Sequence, residues 1–373
     1  MESGNDGKKI RSDSIIDACN VEINYQSTKN PNLKYKSNIL CFGKKVPEVF
    51  EIFTSHKDNK EYIAYKDYKL IIFDIYENKK IKELDFKKVF LIKYFINQNN
   101  LKEYLLVISD KYYVLEISNN YNIIYQYQDK YPEAGVFTMF FTENTNNGYI
   151  IKSDYAGYSG ENSSSYTVRT LLFSLNETKI KEIVIYYNYY QAHNDYGITG
   201  KDIGPIRHLL VWYNKINNDY YVLQFANGII IKNIFKDEEL YYLHYKAKNG
   251  FINNKENDKL KNSYLCILTE NSVSIINLYE KKCIKYIKYN FHINFQNIIQ
   301  WDNKYIITTA AGFVLEKKNY IIIIDLEYNK TITKIEGKHE HEIKFIKKIN
   351  HPIYGEALLT CEKDGSTIKL WII

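Results

Sequence analysis

Residues 337–373 read GKHEHEIKFIKKINHPIYGEALLTCEKDGSTIKLWII. A Gly-Lys-His start leads into an alternating stretch that opens at Ile343, and a run of small residues follows. An Asp-Gly turn at Asp364 and Gly365 then precedes a closing Ile-Lys-Leu-Trp that ends at Trp371. Alternation of apolar and polar residues is the signature of a strand with one buried face, and Asp-Gly marks a tight turn between strands. Three short strands therefore follow one another at close spacing.

The same grammar recurs upstream. LIIFDIYENKKIKEL (70–84), VSIINLYEKKCIKYI (273–287) and YIIIIDLEYNKTITKI (320–335) each give an apolar strand, a polar residue, a charged turn and a second strand. Aligned on that polar residue, seven copies end at Asp74, Glu116, Ser174, Asn233, Asn277, Asp325 and Ile372, with spacings of 42, 58, 59, 44, 48 and 47. The preceding positions are Phe73, Leu115, Phe173, Lys232, Ile276, Ile324 and Trp371. An apolar side chain there packs between neighbouring units, and Lys232 is the exception.

The order of elements in 337–373 resembles a WD repeat, the four-stranded unit of a β-propeller. The resemblance assigns His339 to the family's loop histidine, Asp364 to its tight turn and Trp371 to its signature pair. Ile372 stands where the Asp of that pair is expected. In the family the turn Asp joins a His, a Ser and the Trp in a hydrogen-bond network. Here Cys361 takes the Ser position and Asp364 is one residue out of register, so at most one incomplete network is expected. The implied fold is all-β, a single seven-bladed β-propeller spanning 37–373. The chain stops two residues after Trp371, before a fourth strand of the last blade. An N-terminal strand, SNILCF (37–42), is expected to supply it and spare the ring an open edge.

Composition sets bounds on function. The 373 residues carry 50 Lys and Arg against 44 Asp and Glu, a formal charge of +6. So mild an excess is no nucleic-acid footprint, and the Lys pairs at 44–45, 87–88 and 347–348 are scattered. Tyr (37) and Phe (18) are abundant and suit pleated surfaces, while Gly (16) is sparse. The wealth of Asn and Lys reads as coding bias rather than as a functional signal. Five scattered cysteines (Cys19, Cys41, Cys266, Cys283, Cys361), without a CxxC pair, suit reduced thiols in a cytoplasmic or nuclear protein. Residues 1–36 are polar and read as an N-terminal extension. They hold no apolar segment of signal-peptide type, and no segment reaches transmembrane length.

No catalytic motif assembles, and neither a cofactor nor a metal is expected. His339 and His341 form a conceivable metal pair without a third ligand; Asp195 and Asp202 with His193 form an acid–base group confined to one loop. Two insertions say more. AGYSGENSSSY (156–166) reads as an expanded loop between the second and third strands of the third unit, and YYQAHNDYGITGKDIG (189–204) as a long link to the fourth. Both emerge on one face of a propeller, and they bring Tyr155, Tyr158, Tyr166, Tyr189, Tyr190, His193 and Tyr196 to one rim. Tyr among Gly, Ser and Asn is the composition of a binding loop. The expected function is a non-catalytic scaffold or adaptor that binds partner proteins, with no membrane association and no direct nucleic-acid binding. The alternatives are a small-ligand or enzymatic propeller with a site at the channel mouth, and a nucleic-acid-associated propeller.

Overall fold

The computed structural model describes residues 31–42, 47–86, 88–129, 131–160, 163–176, 180–191, 206–226, 228–236, 241–243, 245, 247–254, 263–269, 272–288, 293–312, 318–336, 339–363, 365 and 367–373; within 155–168 and 180–191 the description is of the backbone. The strands fall into seven antiparallel four-stranded sheets, and the molecule is a seven-bladed β-propeller. Blades 1 to 6 are simple meanders over residues 50–84, 91–127, 136–191, 208–243, 249–288 and 293–336. Blade 7 combines Ile343–His351, Gly355–Glu362 and Thr367–Ile372 with Lys34–Cys41, which pairs antiparallel to Thr367–Ile372. The N-terminal strand thus closes the ring, beginning three residues earlier than the sequence suggests. First strands touch those of adjacent blades and so surround the axis.

Seven apolar clusters fill the seven seams between blades. The period-two rule of a strand decides which seam each side chain serves. Along Gly355–Glu362, Leu358 joins Trp301, Ile323 and Trp371 in the seam between blades 6 and 7, whereas Ala357, Leu359 and Cys361 join Ile52 and Ile63 in the seam between blades 7 and 1. Leu33 and Leu40, at the two ends of the closing strand, enter these two seams. Trp371 is 1% exposed; burying roughly 200 Å² of indole is worth on the order of 5 kcal/mol.

All seven third strands end at the residues named from the repeat, Asp74, Glu116, Ser174, Asn233, Asn277, Asp325 and Ile372. For four of them the physical reason lies in the next turn. The Oδ1 atoms of Asp74, Asn233, Asn277 and Asp325 each accept hydrogen bonds from the backbone N–H groups two and three residues on, at 2.8–3.2 Å. A short polar side chain there caps the hairpin through the backbone. Such turns also need a residue at positive φ. Among the described residues nine non-glycine residues adopt one, and six are Asn: Asn59, Asn78, Asn120, Asn146, Asn218 and Asn329. Asn tolerates that conformation better than other side chains. The Asn enrichment therefore has a structural use at these turns, where a chain poor in Gly needs it.

Blade 3 departs from the rest. Its last three strands, Gly148–Gly160, Ser163–Ser174 and Ile180–Gln191, run for 13, 12 and 12 residues, against three to nine elsewhere. The expected loop 156–166 is therefore strand over 156–160 and 163–166: pairing continues without a break from Tyr149↔Ser174 to Gly160↔Ser163. Tyr189 and Tyr190 likewise lie in the fourth strand rather than in a linker. Extending the ladder satisfies backbone groups that a loop would leave to water, and Tyr, Ser, Thr and Val suit a pleated ribbon. The first strand stops pairing at Val136↔Ser153, so the ribbon continues beyond it for seven residues of the second strand, or roughly 20 Å.

Candidate interaction surfaces

The ribbon register separates the tyrosines expected to meet on one rim. Residues paired across strands share a face, and faces alternate along each strand. Tyr155 pairs Val168, Tyr166 pairs Gly157 and Asn188, and Ser164 pairs Tyr190, which places Tyr155, Tyr166 and Tyr190 on one face. Tyr158 and Tyr189 pair Ser165 from either side and belong to the other. His193 and Tyr196 lie outside the described residues.

Polar side chains fasten the base of the ribbon on both sides. Toward blade 2, the buried Lys152 ammonium donates to Asp129 Oδ2 at 2.7 Å and to the Tyr131 carbonyl at 3.1 Å, and the Tyr112 hydroxyl donates to the same carboxylate. Burial alone would raise the Asp129 pKa, but the Lys152 and Tyr112 bonds hold it below the usual carboxylate range. Toward blade 4, Ser153 Oγ and Thr170 Oγ1 lie 2.9 Å apart, and the fully buried Gln224 donates to Thr170. Lys152 and Ser153 are neighbours that face opposite seams.

At the upper end of blade 7 the structure joins His339 to Trp371 through residues the sequence did not single out. Trp371 Nε1–H donates to Thr360 Oγ1 at 2.8 Å. Thr360 Oγ1 is 3.0 Å from His339 Nε2, and His339 Nδ1 is 2.9 Å from Glu362 Oε1. The Lys369 ammonium and the His341 backbone N–H also reach Glu362. Burial first, then the Lys369 charge, pushes His339 down to about 4 despite the Glu362 contact. The imidazole is therefore neutral at pH 7: Nδ1–H donates to the carboxylate, and Nε2 accepts the Thr360 hydroxyl. Asp364 lies outside the described residues. Cys361 cannot join, because it faces the opposite seam, whereas Thr360 and Glu362 share the Trp371 face. The hydroxyl–imidazole–carboxylate order is that of a hydrolase triad. Thr360, however, is fully buried, and its oxygen already accepts from Trp371, so it has no access to a substrate.

Inner-strand charges are also committed to the ring. Lys93 donates to the Phe137 carbonyl of blade 3 at 2.7 Å, Lys347 to the Ile52 carbonyl of blade 1, and Lys348 to the Trp301 carbonyl of blade 6 at 2.7 Å. The pair at 347–348 therefore clamps blades together. Burial pushes Glu51 up to about 7, with Lys347 and Lys93 opposing. Among the described residues no group of three His, Cys, Asp or Glu could hold a metal, and no helix is long and apolar enough to cross a membrane.

A cavity of about 500 Å³ opens on the upper face where blades 6, 7 and 1 meet, and its described lining is Glu48, Gln296, Asn297, Glu342, Ile343, Lys344 and Lys363. Sequence reasoning passed over it, since its residues lie on three elements and match no motif. No protein-family model matches the chain, and no curated protein matches it in sequence.

Proposed function

We propose that the protein is a non-catalytic, protein-binding scaffold of WD-repeat type that works in the reducing environment of the cytoplasm. The observation that carries this reading is the blade 3 ribbon. A closed ring of short strands bears one long three-stranded projection whose base is fixed by buried polar bonds. Segments 155–168 and 184–191 hold seven Tyr and a single charged residue, Glu161. Tyr offers large contact area at low conformational cost, and a surface so poor in charge suits a protein partner better than solvent or nucleic acid. The described hydroxyl, imidazole and carboxylate groups that resemble catalytic machinery are used in packing, which favours binding over turnover.

The test is affinity capture with the full chain and with a variant in which Asp154 and Arg169, already paired, are joined by an Asn-Gly turn. The variant is expected to fold and to lose its partner proteins. Retention of every partner would overturn the ribbon's role.

A further inference from the structure

The cavity on the upper face has a feature that packing does not require. Where first and second strands pair, blades 1 to 5 run in unbroken register. Blades 6 and 7 do not. In blade 6 the register steps between Phe295 and Asn297, leaving Gln296 as the extra residue; in blade 7 it steps between Ile343 and Phe345, leaving Lys344. Both extra residues line the same cavity. A bulge re-aims a side chain at the expense of ladder hydrogen bonds, and two that converge from adjacent blades mark a built site.

The walls are held from three sides. Asn297 donates to the Ile343 carbonyl at 2.7 Å, tying blade 6 to blade 7. The Lys344 ammonium donates to the Glu48 carbonyl at 2.7 Å, tying blade 7 to the link before blade 1. The Lys363 backbone N–H donates to the Glu342 carbonyl at 2.7 Å. The site is thus rigid before anything binds, which lowers the ordering cost of binding. Within it Gln296 Oε1 is buried and has no hydrogen-bond partner among the described residues. A buried amide left unpaired is costly, and its natural complement is another amide, which offers both a donor and an acceptor. Around it, Glu48 and Glu342 balance Lys344 and Lys363, so the described lining residues carry no net formal charge. Such a lining favours neither a polyanion nor a polycation. It suits an extended peptide read through its main chain, with side chains of both signs near the rim.

We propose that this cavity is a peptide-binding site that holds an extended segment of a partner protein, with Gln296 paired to a peptide unit and Lys344 and Lys363 beside an acidic side chain. The site rests on the scaffold reading but not on the ribbon. The probe is a displayed library of random 12-residue peptides, selected on the full chain and measured again with Gln296→Ala, Lys363→Glu and the ribbon-shortened variant. Neither Gln296 nor Lys363 contributes a side-chain hydrogen bond to the described fold, so both variants are expected to keep the wild-type melting temperature. Selected peptides are expected to bind at least ten-fold more weakly to Gln296→Ala, to lose affinity for Lys363→Glu in proportion to their acidic content, and to bind the ribbon-shortened variant unchanged. Peptides that bind both point variants as well as wild type would overturn the site and leave the scaffold reading intact. A selection that enriches nothing would overturn the site, while the capture experiment still decides the scaffold reading.

Discussion

Thr360→Val isolates the hydrogen-bond relay of blade 7 from its packing. Valine has nearly the shape of threonine, so the fully buried position stays filled. What is lost is one hydroxyl serving two partners, the Trp371 indole N–H at 2.8 Å and His339 Nε2 at 3.0 Å. Each becomes a buried polar atom without a partner, at about 1–3 kcal/mol apiece, so the expected loss is roughly 4 kcal/mol. A ring of this length unfolds with an entropy of roughly 0.7 kcal/mol/K, which converts the loss into a fall of about 6 °C in Tm. Thr360→Ser keeps the hydroxyl and gives up a methyl group, about 1 kcal/mol, and serves as the control. Thermal unfolding followed by tryptophan fluorescence reads both. If Thr360→Val melts within 1 °C of wild type, the relay contributes nothing beyond packing and the reasoning fails.

The closing strand should behave as structural and the segment before it as dispensable. Removing residues 1–42 deletes the Lys34–Cys41 ladder and the buried Leu33 and Leu40, each leucine worth about 2 kcal/mol. Residues 1–30 are largely polar, and their removal is expected to leave the melting temperature unchanged. Equal melting of the two truncations would refute this assignment. Acid should weaken the fold through His339 and His208, both pushed down to about 4, chiefly by burial. Between the ordinary value of 6.5 and 4 the unfolded chain takes up protons that the folded chain refuses, so stability is lost as pH falls through that window. Glu51, pushed up to about 7, acts with the opposite sign from 4.5 upward. His339→Gln should therefore reduce the pH slope of unfolding free energy by about one proton, or about 1.4 kcal/mol per pH unit. Identical slopes in wild type and variant would refute the neutral imidazole.

What the sequence made legible was what local chemistry enforces. The ends of the third strands could be named from the repeat because, in four of the seven, a short polar residue there caps the next turn, a rule that needs only the neighbouring backbone. It held even in blade 4, where Lys232 breaks the apolar pattern but Asn233 still caps Phe235 and Lys236. The missing outer strand could be inferred because an open edge is costly. Side-chain direction was harder. Counting back from Trp371 by sequence distance led to Cys361 and Asp364; counting by strand parity leads to Thr360 and Glu362. Gly, Ser and Asn around the tyrosines of 156–166 and 189–190 suggest loops, whereas long-range pairing places them in strands. The bulges at Gln296 and Lys344 have no local signature, since they depend on how two strands come into register.

Closing blade 7 with the first strand also sets an order of events. A ribosome releases Lys34–Cys41 more than 300 residues before its partner Thr367–Ile372. The seams from blade 1 through blade 6 can assemble during synthesis, but the ring cannot shut until Thr367–Ile372 emerges. Joining ends roughly 340 residues apart costs about 5 kcal/mol in chain entropy if nothing between them is ordered. Blades already stacked bring those ends together and remove most of that cost. The last step of folding is then a short strand sliding into a prepared slot, and until it does, Thr367–Ile372 keeps an unpaired outer edge that a chaperone or a second nascent chain could take.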